Sequence, residues 1–330
     1  MSIVSRIKSK IERTVVDNLF SFHLEKLLIS NKKINTIVMY HGIDSNENTQ
    51  FNSRSIGVEN FKKQILFLKK NTNIISLQDF FEEKFDPTRS NIAITFDDGF
   101  LNNYKYAVPF LNEQKVPATI YVTGLNQTQD DILWPDFLDI SSYFHKEDIT
   151  IDSILYSKNS QGKYYSIELQ KTLNEVIKLK GNYDFKLKVY TEFKKTGIKF
   201  KENENYFDYW KLMNNEQLIE VDKSPYVKIE SHAFWHNNLG NIPLIEAEKE
   251  LIDSKNYLEN LLQREITEIA YPDGSYSREL LNIATNLGFK YQLAAARYNF
   301  NEDILDTRIK DRVGLYPSVS WANQMYALFK

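Results

Sequence analysis

The sequence predicts an α/β fold, a deformed parallel (β/α) barrel of about seven strands. Short apolar runs alternate with stretches whose apolar residues recur at helical spacing. Most of the runs lack alternating polar residues, which is typical of parallel strands that helices cover on both faces. Polar side chains suited to catalysis directly follow several runs, as expected where the βα loops of a barrel meet in one pocket.

Five apolar runs rich in β-branched residues are the strand candidates. They span residues 36–40, 92–96, 118–122, 226–229 and 266–271. Amphipathic stretches between them predict helices, the first marked by Phe61, Ile65 and Leu68. Two later stretches share this spacing: one has Leu244, Ala247, Leu251, Leu258, Leu261 and Leu262, and the other has Leu280, Leu281, Ala284 and Leu287, with Gly288 as its end.

The chain divides into four segments on these patterns. Residues 1–30 predict an N-terminal amphipathic helix, and residues 31–125 and 226–330 predict the two parts of the barrel. Residues 126–225 break the strand-helix rhythm and predict an inserted subdomain. Its aromatic residues either build a small core or stack on sugar faces. They include Trp134, Tyr206, Phe207, Tyr209 and Trp210.

Composition excludes several classes of protein. The 330 residues are 42% hydrophobic, which supports a sizeable core, and the net charge of -3 provides no basic field for nucleic acid. The absence of cysteine excludes disulfides and thiolate metal sites, so His, Asp, Glu or water would have to hold a metal. No run resembles a secretory signal or reaches the roughly 20 apolar residues of a membrane span, so we expect a cytoplasmic protein.

The N-terminal helix has two interpretations. Aliphatic residues recur along one stripe with basic residues between them, so residues 1–20 either pack on the barrel or contact a membrane surface peripherally. The stripe is Ile3, Ile7, Ile11, Val15 and Leu19, and the basic residues are Arg6, Lys8, Lys10 and Arg13.

The second strand candidate ends in two adjacent carboxylates, Asp97 and Asp98, followed by Gly99. Asp and Gly are ordinary turn residues, so this pair alone does not separate a connection from a site. His232 and His236 follow another strand candidate and are four residues apart. One aspartate with two histidines is a metal-ligand set, and strand ends of a barrel converge.

This ligand set favours hydrolytic chemistry. Position 233 is Ala, whereas zinc peptidases with a paired-histidine motif need Glu there as a general base, so that class is excluded. A carboxylate and two imidazoles suit Zn, or another divalent ion such as Co, Ni, Fe or Mn, that activates water. One aspartate would bind the metal while the other accepts a proton from water as it attacks an electrophilic carbon.

A hydrolase of this kind also needs an acid for the leaving group, and an imidazolium is suited to that role near neutral pH. His23, His41 and His145 remain as candidates, and only His41 follows a strand candidate directly. We therefore predict His41 as the acid. The alternative is a histidine that is hydrogen-bonded at the barrel rim.

Three motifs, in this order, resemble those of the polysaccharide deacetylases, carbohydrate esterase family four. They lie at residues 95–99, 231–236 and 270–274, and the resemblance covers most of the chain outside the N-terminal helix and the insertion. It implies a deformed barrel that removes N- or O-acetyl groups from sugars with a divalent metal. Tyr40 and His41 are similar to a Tyr-His motif on the first strand of an exopolysaccharide-deacetylating subgroup, where that motif supplies the acid.

Carried over residue by residue, the resemblance implies Asp97 as the catalytic base. It implies Asp98, His232 and His236 as metal ligands. It also implies the backbone N–H near Asp273 as the donor to the oxyanion, a role that does not depend on the side chain.

The chain departs from the family pattern at three places. Ala233 stands where a Ser or Thr usually braces the histidine loop, and Ala270 stands where an Arg usually orients the base. The usual late histidine acid is missing, because no His follows His236. Arg312 resembles an Arg near the C-terminal strand of some members, and we expect it to replace the missing Arg.

The sequence therefore predicts a metal-dependent hydrolase that removes an acetyl group from an N-acetylated sugar, with metal-bound water attacking the amide carbonyl. The expected substrate is a lipid-linked or nucleotide-linked biosynthetic intermediate at the inner membrane face. Two alternatives remain open. One is a metal amidohydrolase of a non-sugar amide, and the other is a catalytically silent glycan-binding or scaffold protein on the same fold.

Overall fold

The computed structural model describes residues 3–29, 33–45, 53–129, 131–295 and 297–330, and in the first range it describes the side chains of residue 8 and of residues 10–29. Eleven α-helices lie within these ranges. They are Ile3–Ser21 (α1), Val58–Asn71 (α2), Leu77–Phe81 (α3), Val108–Gln114 (α4), Trp134–Phe144 (α5), Leu173–Lys180 (α6), Tyr183–Lys195 (α7), Asn215–Asp222 (α8), Leu244–Leu262 (α9), Arg278–Asn286 (α10) and Trp321–Phe329 (α11).

Fifteen strands lie within the same ranges, and most are short. They are Asn35–Tyr40 (β1), Ile43–Asp44 (β2), Ile56–Gly57 (β3), Asn73–Ile74 (β4), Asn91–Phe96 (β5), Ala118–Val122 (β6), Ile149–Ile151 (β7), Ile154–Lys158 (β8), Tyr164–Ser166 (β9), Lys171–Thr172 (β10), Val227–Ser231 (β11), Glu268–Ala270 (β12), Tyr291–Leu293 (β13), Ile309–Lys310 (β14) and Val313–Gly314 (β15). All five strand candidates of the sequence coincide with strands, with ends that differ by one or two residues.

The main sheet is parallel and curls into a deformed barrel. Its strand order is β14-β13-β12-β11-β6-β5-β1-β15, and β4 pairs with β5 beside this path. The outermost strands, β14 and β15, are separated by only two residues of chain, so the sheet bends back toward its own start. The predicted fold class is confirmed, and the described path has eight strands where about seven were expected.

Strand register determines which loops meet. Tyr40 pairs with Phe96 at the ends of β1 and β5, so His41 and Asp97 leave the sheet side by side. Ser231 pairs with Val122 on β6 and with the penultimate residue of β12. The C-terminal ends of these strands therefore lie at one rim of the barrel, as parallel pairing requires.

The insertion has a hydrophobic core of its own. Residues between 132 and 210 form a buried cluster that is separate from the barrel core, next to an antiparallel sheet of order β10-β9-β8-β7. Trp134, Tyr209 and Trp210 are at most 3% exposed within it. These aromatics therefore build a core, the first of the two interpretations, although Trp134 also lines the cavity described below. In contrast, Leu218 and Val221 of α8 belong to the barrel core.

The N-terminal helix packs on the barrel through residues other than the aliphatic stripe. Val16 and Phe20 are buried, and Phe20 contacts the rings of Phe67 and Trp321 with centroids 5.3 and 5.4 Å away. The helix is therefore docked on the barrel, although the described stripe residues are not its buried face. Ile11 and Val15 are exposed and Leu19 is half-buried, while the side chains of Ile3 and Ile7 lie outside the described set.

A buried charged cluster joins β11 to β12 below the rim. Glu230 accepts hydrogen bonds from Arg264 at 2.9 Å and from the backbone N–H groups of Thr267 and Glu268 at 3.0 and 2.9 Å. The carboxylate of Glu268 accepts a hydrogen bond from Tyr121 at 2.8 Å. Burial raises the pKa of both carboxyl groups, and repulsion from Glu268 adds to the effect on Glu230, whose pKa rises to about 8.

Candidate active site

The turn after β5 lets two adjacent aspartates face the same cavity. Consecutive residues of an extended strand point to opposite faces. Asp98 and Gly99 instead have left-handed φ angles of 79° and 74°, which turn the chain sharply behind Asp97. Gly99 is required, because a Cβ atom there would lie 2.8 Å from Cγ1 of Val122. Both carboxylates consequently line one cavity of about 250 Å³ at the barrel rim.

Asp98, His232 and His236 converge inside this cavity. Oδ1 of Asp98 lies 3.5 Å from Nε2 of His232 and 3.3 Å from Nε2 of His236. All three side chains are buried, and their ligand atoms lie within 4.8 Å of one another. Burial alone would raise the pKa of Asp98, but interaction with the two imidazoles lowers it well below its usual value.

This triad fits a divalent cation. Oδ1 of Asp98 is buried and accepts no hydrogen bond from the described residues. Nδ1 of His232 lies 2.8 Å from the carbonyl oxygen of Ala270, which places the proton on Nδ1 and leaves Nε2 free as a ligand atom. One carboxylate and two imidazoles form a known donor set for zinc and for similar divalent ions.

The loop that carries the histidines is strained and externally held. Ala233 and His236 have left-handed φ angles of 59° and 53°, which are unfavourable for residues with a Cβ atom. Such strain persists when surrounding contacts enforce it. Glu250 of α9 accepts the N–H of Trp235 at 2.9 Å. The bracing hydrogen bond expected to be lost at Ala233 thus has a counterpart two residues further on.

A second support comes from the insertion. Lys186 of α7 is 1% exposed, and its ammonium donates to the carbonyl oxygen of His236 at 2.6 Å and to Oδ1 of Asn237 at 2.8 Å. Burial lowers the pKa of Lys186 to about 7, although Glu250 raises it. Sequence reasoning missed Lys186, because it is one of many lysines in an apparently ordinary solvated helix.

Asp97 is paired with Arg312 across the barrel. The guanidinium makes a two-point ion pair, with Nη1 to Oδ1 at 2.6 Å and Nη2 to Oδ2 at 2.8 Å. Its Nε donates to the carbonyl oxygen of Ala294 at 2.8 Å, which fixes the plane of the group. Burial opposes ionisation of Asp97, but Arg312 and His232 lower the pKa of Asp97 below its usual value.

His41 lines the same cavity as the two aspartates. Its Nδ1 is buried and has no hydrogen-bond partner among the described residues, and its ring centroid lies 6.0 Å from that of Tyr316. Burial lowers the pKa of His41, against the attraction of Asp98 and Asp97. Tyr316, which sequence reasoning missed, also lines the cavity.

Asp273 lies at the cavity mouth with its side chain engaged elsewhere. Lys178 of the insertion pairs with it at 2.7 Å, and Asn238 donates to it at 3.0 Å. Its φ of 54° is left-handed, and it precedes Gly274, where a Cβ atom would lie 2.7 Å from the backbone nitrogen of Ala295. Asp273, Gly274 and Ala295 all line the cavity.

The chain matches a known family of proteins. The family model described as polysaccharide deacetylase matches residues 84–176 and 188–292, which is more than half of the chain. This chain belongs to the polysaccharide deacetylase family. The family predicted from the three motifs is thereby confirmed, and the match covers the end of the first barrel part, most of the insertion and most of the second barrel part.

Individual relatives of this deacetylase-family chain are distant. It is 22% identical over 263 residues to the Bacillus subtilis (strain 168) protein YxkH, which covers 77% of this chain and 62% of that relative. The chain therefore spans less than two thirds of the length of this curated relative.

Solved structures share the fold. The Streptococcus pyogenes deacetylase PplD, solved in complex with acetate, superposes with a TM-score of 0.56 at 18% identity, covering 91% of this chain and 100% of that one. IcaB from Ammonifex degensii also gives a TM-score of 0.56, at 15% identity, covering 90% of this chain and 97% of that one. At such identities, these structures support the barrel architecture.

Proposed function

We propose that this protein is a metal-dependent hydrolase that removes an acetyl group from an N-acetylated sugar. One observation carries the proposal: in a chain of the deacetylase family, a buried Asp-His-His triad shares a cavity with an aspartate held by an arginine. We propose Asp98, His232 and His236 as the metal ligands, with zinc as the first candidate and Co, Ni, Fe or Mn as alternatives. When bound there, a divalent cation would polarise the acetyl carbonyl and lower the pKa of water.

The protein's own residues supply the remaining steps of this proposal. Asp97 accepts a proton from the attacking water, and Arg312 keeps Asp97 ionised and fixes its orientation through two hydrogen bonds. A backbone N–H near Asp273 stabilises the oxyanion. His41 then donates a proton to the leaving amine, in the role of the Tyr-His subgroup. Its unpartnered Nδ1 supports this assignment.

The lowered pKa of His41 also bears on its role. An imidazole that is less basic than usual gives up its proton more readily, and the same ring must be charged before it can do so. Asp97 and Asp98 favour that charged form. Burial outweighs this attraction, so we propose that His41 acts as the acid in the fraction of molecules in which it is protonated, and that it donates as the carbon-nitrogen bond breaks.

Acetate release tests the function. The purified protein, loaded with Zn or Co, is incubated with N-acetylhexosamine oligosaccharides and with nucleotide-linked and lipid-linked N-acetylhexosamines. We expect acetate from at least one class, and loss of both bound metal and acetate release in Asp98→Ala. No acetate from any of these sugars in the metal-loaded protein would overturn the proposal, and ring opening of cyclic amides by that protein would support the amidohydrolase alternative.

We also propose that the protein works at the cytoplasmic face of a membrane, on a lipid-linked or nucleotide-linked sugar. No helix among the described residues has the length and apolar character needed to cross a bilayer. Exposed apolar side chains beside the basic residues of α1 support peripheral contact instead. They are Ile11, Val15, Phe22 and Leu27, which are 46 to 75% exposed.

A further inference from the structure

The insertion builds a second cavity beside the catalytic one. It has a volume of about 660 Å³, and Arg54, Pro135 and Asn174 line both cavities, so the two are adjacent at this border. Arg54 donates to Asp136, which is buried under the border in α5. A sugar chain whose acetyl group lies near Asp98 could therefore extend into the second cavity. We call this second cavity the lysine groove.

The lysine groove is cationic. Lys146, Lys158 and Lys163 line it together with Arg54, and Asp139 is the one carboxylate among its described lining residues. Lysines on a protein surface usually extend into bulk water. None of these three forms an ion pair with a carboxylate of the described residues. With three ammonium groups and one carboxylate, that of Asp139, the groove has an excess of positive charge, which favours an anionic ligand.

Two of these lysines, the half-buried Lys158 and the exposed Lys146, contact aromatic rings. Lys158 is half-buried over the ring of Tyr164, with Nζ 4.6 Å from the centroid, and it donates to the carbonyl oxygen of Ser142. Nζ of Lys146 lies 5.0 Å from the centroid of Tyr143. Cation-π contacts of this kind orient an ammonium group and leave its other N–H donors available for a ligand.

From these observations we infer that the lysine groove binds an oxyanion carried by the substrate, a phosphate or a carboxylate on a sugar next to the acetylated one. This inference rests on the proposed function, because it places the acetyl group in the adjacent catalytic cavity. Lysines bind phosphate as point charges, while Arg54, the residue better suited to pairing with carboxylate, is already engaged by Asp136. The substrate class is therefore an acidic, N-acetylated glycan.

Binding of defined sugars tests the inference. The ligands are three matched N-acetylglucosamine disaccharides whose second sugar is neutral, phosphorylated or a uronic acid. Calorimetry uses the metal-loaded full chain with Asp97→Asn to prevent turnover. We expect an acidic disaccharide to bind about tenfold more tightly than the neutral one in about 50 mM salt, and we expect this advantage to shrink in about 300 mM salt. The phosphate and carboxylate arms decide which oxyanion is preferred.

Matched variants locate the effect. Lys146→Gln combined with Lys163→Gln, both at exposed positions, should remove most of the tighter binding of the acidic disaccharide. Adding Lys158→Gln should remove the rest of this advantage. Lys199→Gln makes the same charge change elsewhere in the insertion, where Lys199 pairs with Glu202 at 3.6 Å, and should keep the advantage. Equal binding of neutral and acidic sugars, or an advantage that survives the combined substitutions, would overturn the inference.

The two proposals fail separately. Acetate release from the neutral disaccharide by the wild-type protein reports on the proposed function, while lysine-dependent binding reports on the groove. Lysine-dependent binding, with no acetate release from these disaccharides or from the oligosaccharide, nucleotide-linked and lipid-linked sugars named above, would reject the function and keep the groove. Acetate release with the same KM for all three sugars would keep the function and reject the groove.

Discussion

The ammonium group of Lys186 donates to the carbonyl oxygen of His236 over 2.6 Å, so a residue of the insertion holds a proposed metal ligand of the barrel. His236 has a left-handed φ of 53°, and this bond adds to the support that Glu250 gives to the N–H of Trp235 in the same loop. The insertion is therefore a structural part of the candidate site, in addition to covering it.

Lys186→Met should weaken metal binding. The substitution keeps the length of the side chain but leaves two buried acceptors, the carbonyl oxygen of His236 and Oδ1 of Asn237, without their donor. Loss of a contact that orients a metal ligand typically weakens metal affinity by about 10- to 100-fold. Zinc affinity is measured by competition with a chelating dye. Lys188→Met, on the exposed side of the same helix and paired with Asp152, is the control and should bind zinc normally.

Asp97→Asn should stop turnover while sparing the metal. The amide has nearly the same shape but cannot accept the proton of the attacking water, and loss of a general base lowers kcat by about 100-fold or more. Acetate release and metal content, measured on the same preparation, check this expectation. Unchanged acetate release would reject Asp97 as the base, and unchanged cellular function in this variant would favour the scaffold alternative.

His41→Ala should lower kcat by about 100-fold with the metal retained, because the leaving amine would lack its acid. Tyr316→Phe is the matched test, since Tyr316 lines the same cavity and its ring lies 6.0 Å away. If His41 is the acid, the kcat of Tyr316→Phe stays within a few-fold of the wild-type kcat. The reverse result would transfer the acid role to Tyr316.

The free energy of unfolding should fall as pH rises through the range in which the buried carboxyl groups of Glu230 and Glu268 titrate. Their pKa values are raised in the folded protein, that of Glu230 to about 8, so between about pH 4.5 and 8 the folded state binds more protons than the unfolded state. The free energy of unfolding then decreases with pH, by about 1.4 kcal/mol per pH unit at most for one proton. Glu268→Gln should make the free energy of unfolding depend less on pH. Urea unfolding at several pH values measures this dependence.

Anionic liposomes should retain the protein through α1. Replacing Ile11, Val15 and Phe22 by Ser removes exposed apolar area without touching the buried contacts of Val16 and Phe20, so binding should fall while the fold persists. Flotation at low and high salt measures binding, and added salt should weaken it because the nearby side chains are basic. Ile245→Ser, which is equally exposed on α9, is the control. If anionic liposomes retain the triple Ser variant as well as they retain Ile245→Ser, α1 only packs on the barrel.

Sequence patterns located β1, β5, β6, β11 and the short β12, which lies inside a longer apolar run, and the residues at their ends. A run of five or six apolar residues carries enough β-branched signal to be recognised, and a strand end then fixes the position of Asp97 or His232. Strands β13, β14 and β15 have two or three residues each, which is too short for any periodicity. They became strands because their neighbours in the sheet pair with them.

Residues that act across long distances could not be found in this way. Lys186 looks like its neighbours on a lysine-rich helix, and its burial arises only where the insertion packs against the histidine loop. Arg54 and Tyr316 occupy loops with no motif around them. Arg312 was found only through a family resemblance, and its contact with Asp97 depends on how the sheet curls.

Because activity needs the ion pair of Asp97 with Arg312, we expect it only after the barrel has folded completely. The two residues are 215 positions apart in the sequence, and Arg312 directly precedes β15, which pairs with β1. Contacts of such long range form late, because much of the chain must already be ordered. During refolding, acetate release should therefore recover after helix content does, and a chain with an unclosed barrel would look largely structured while remaining inactive.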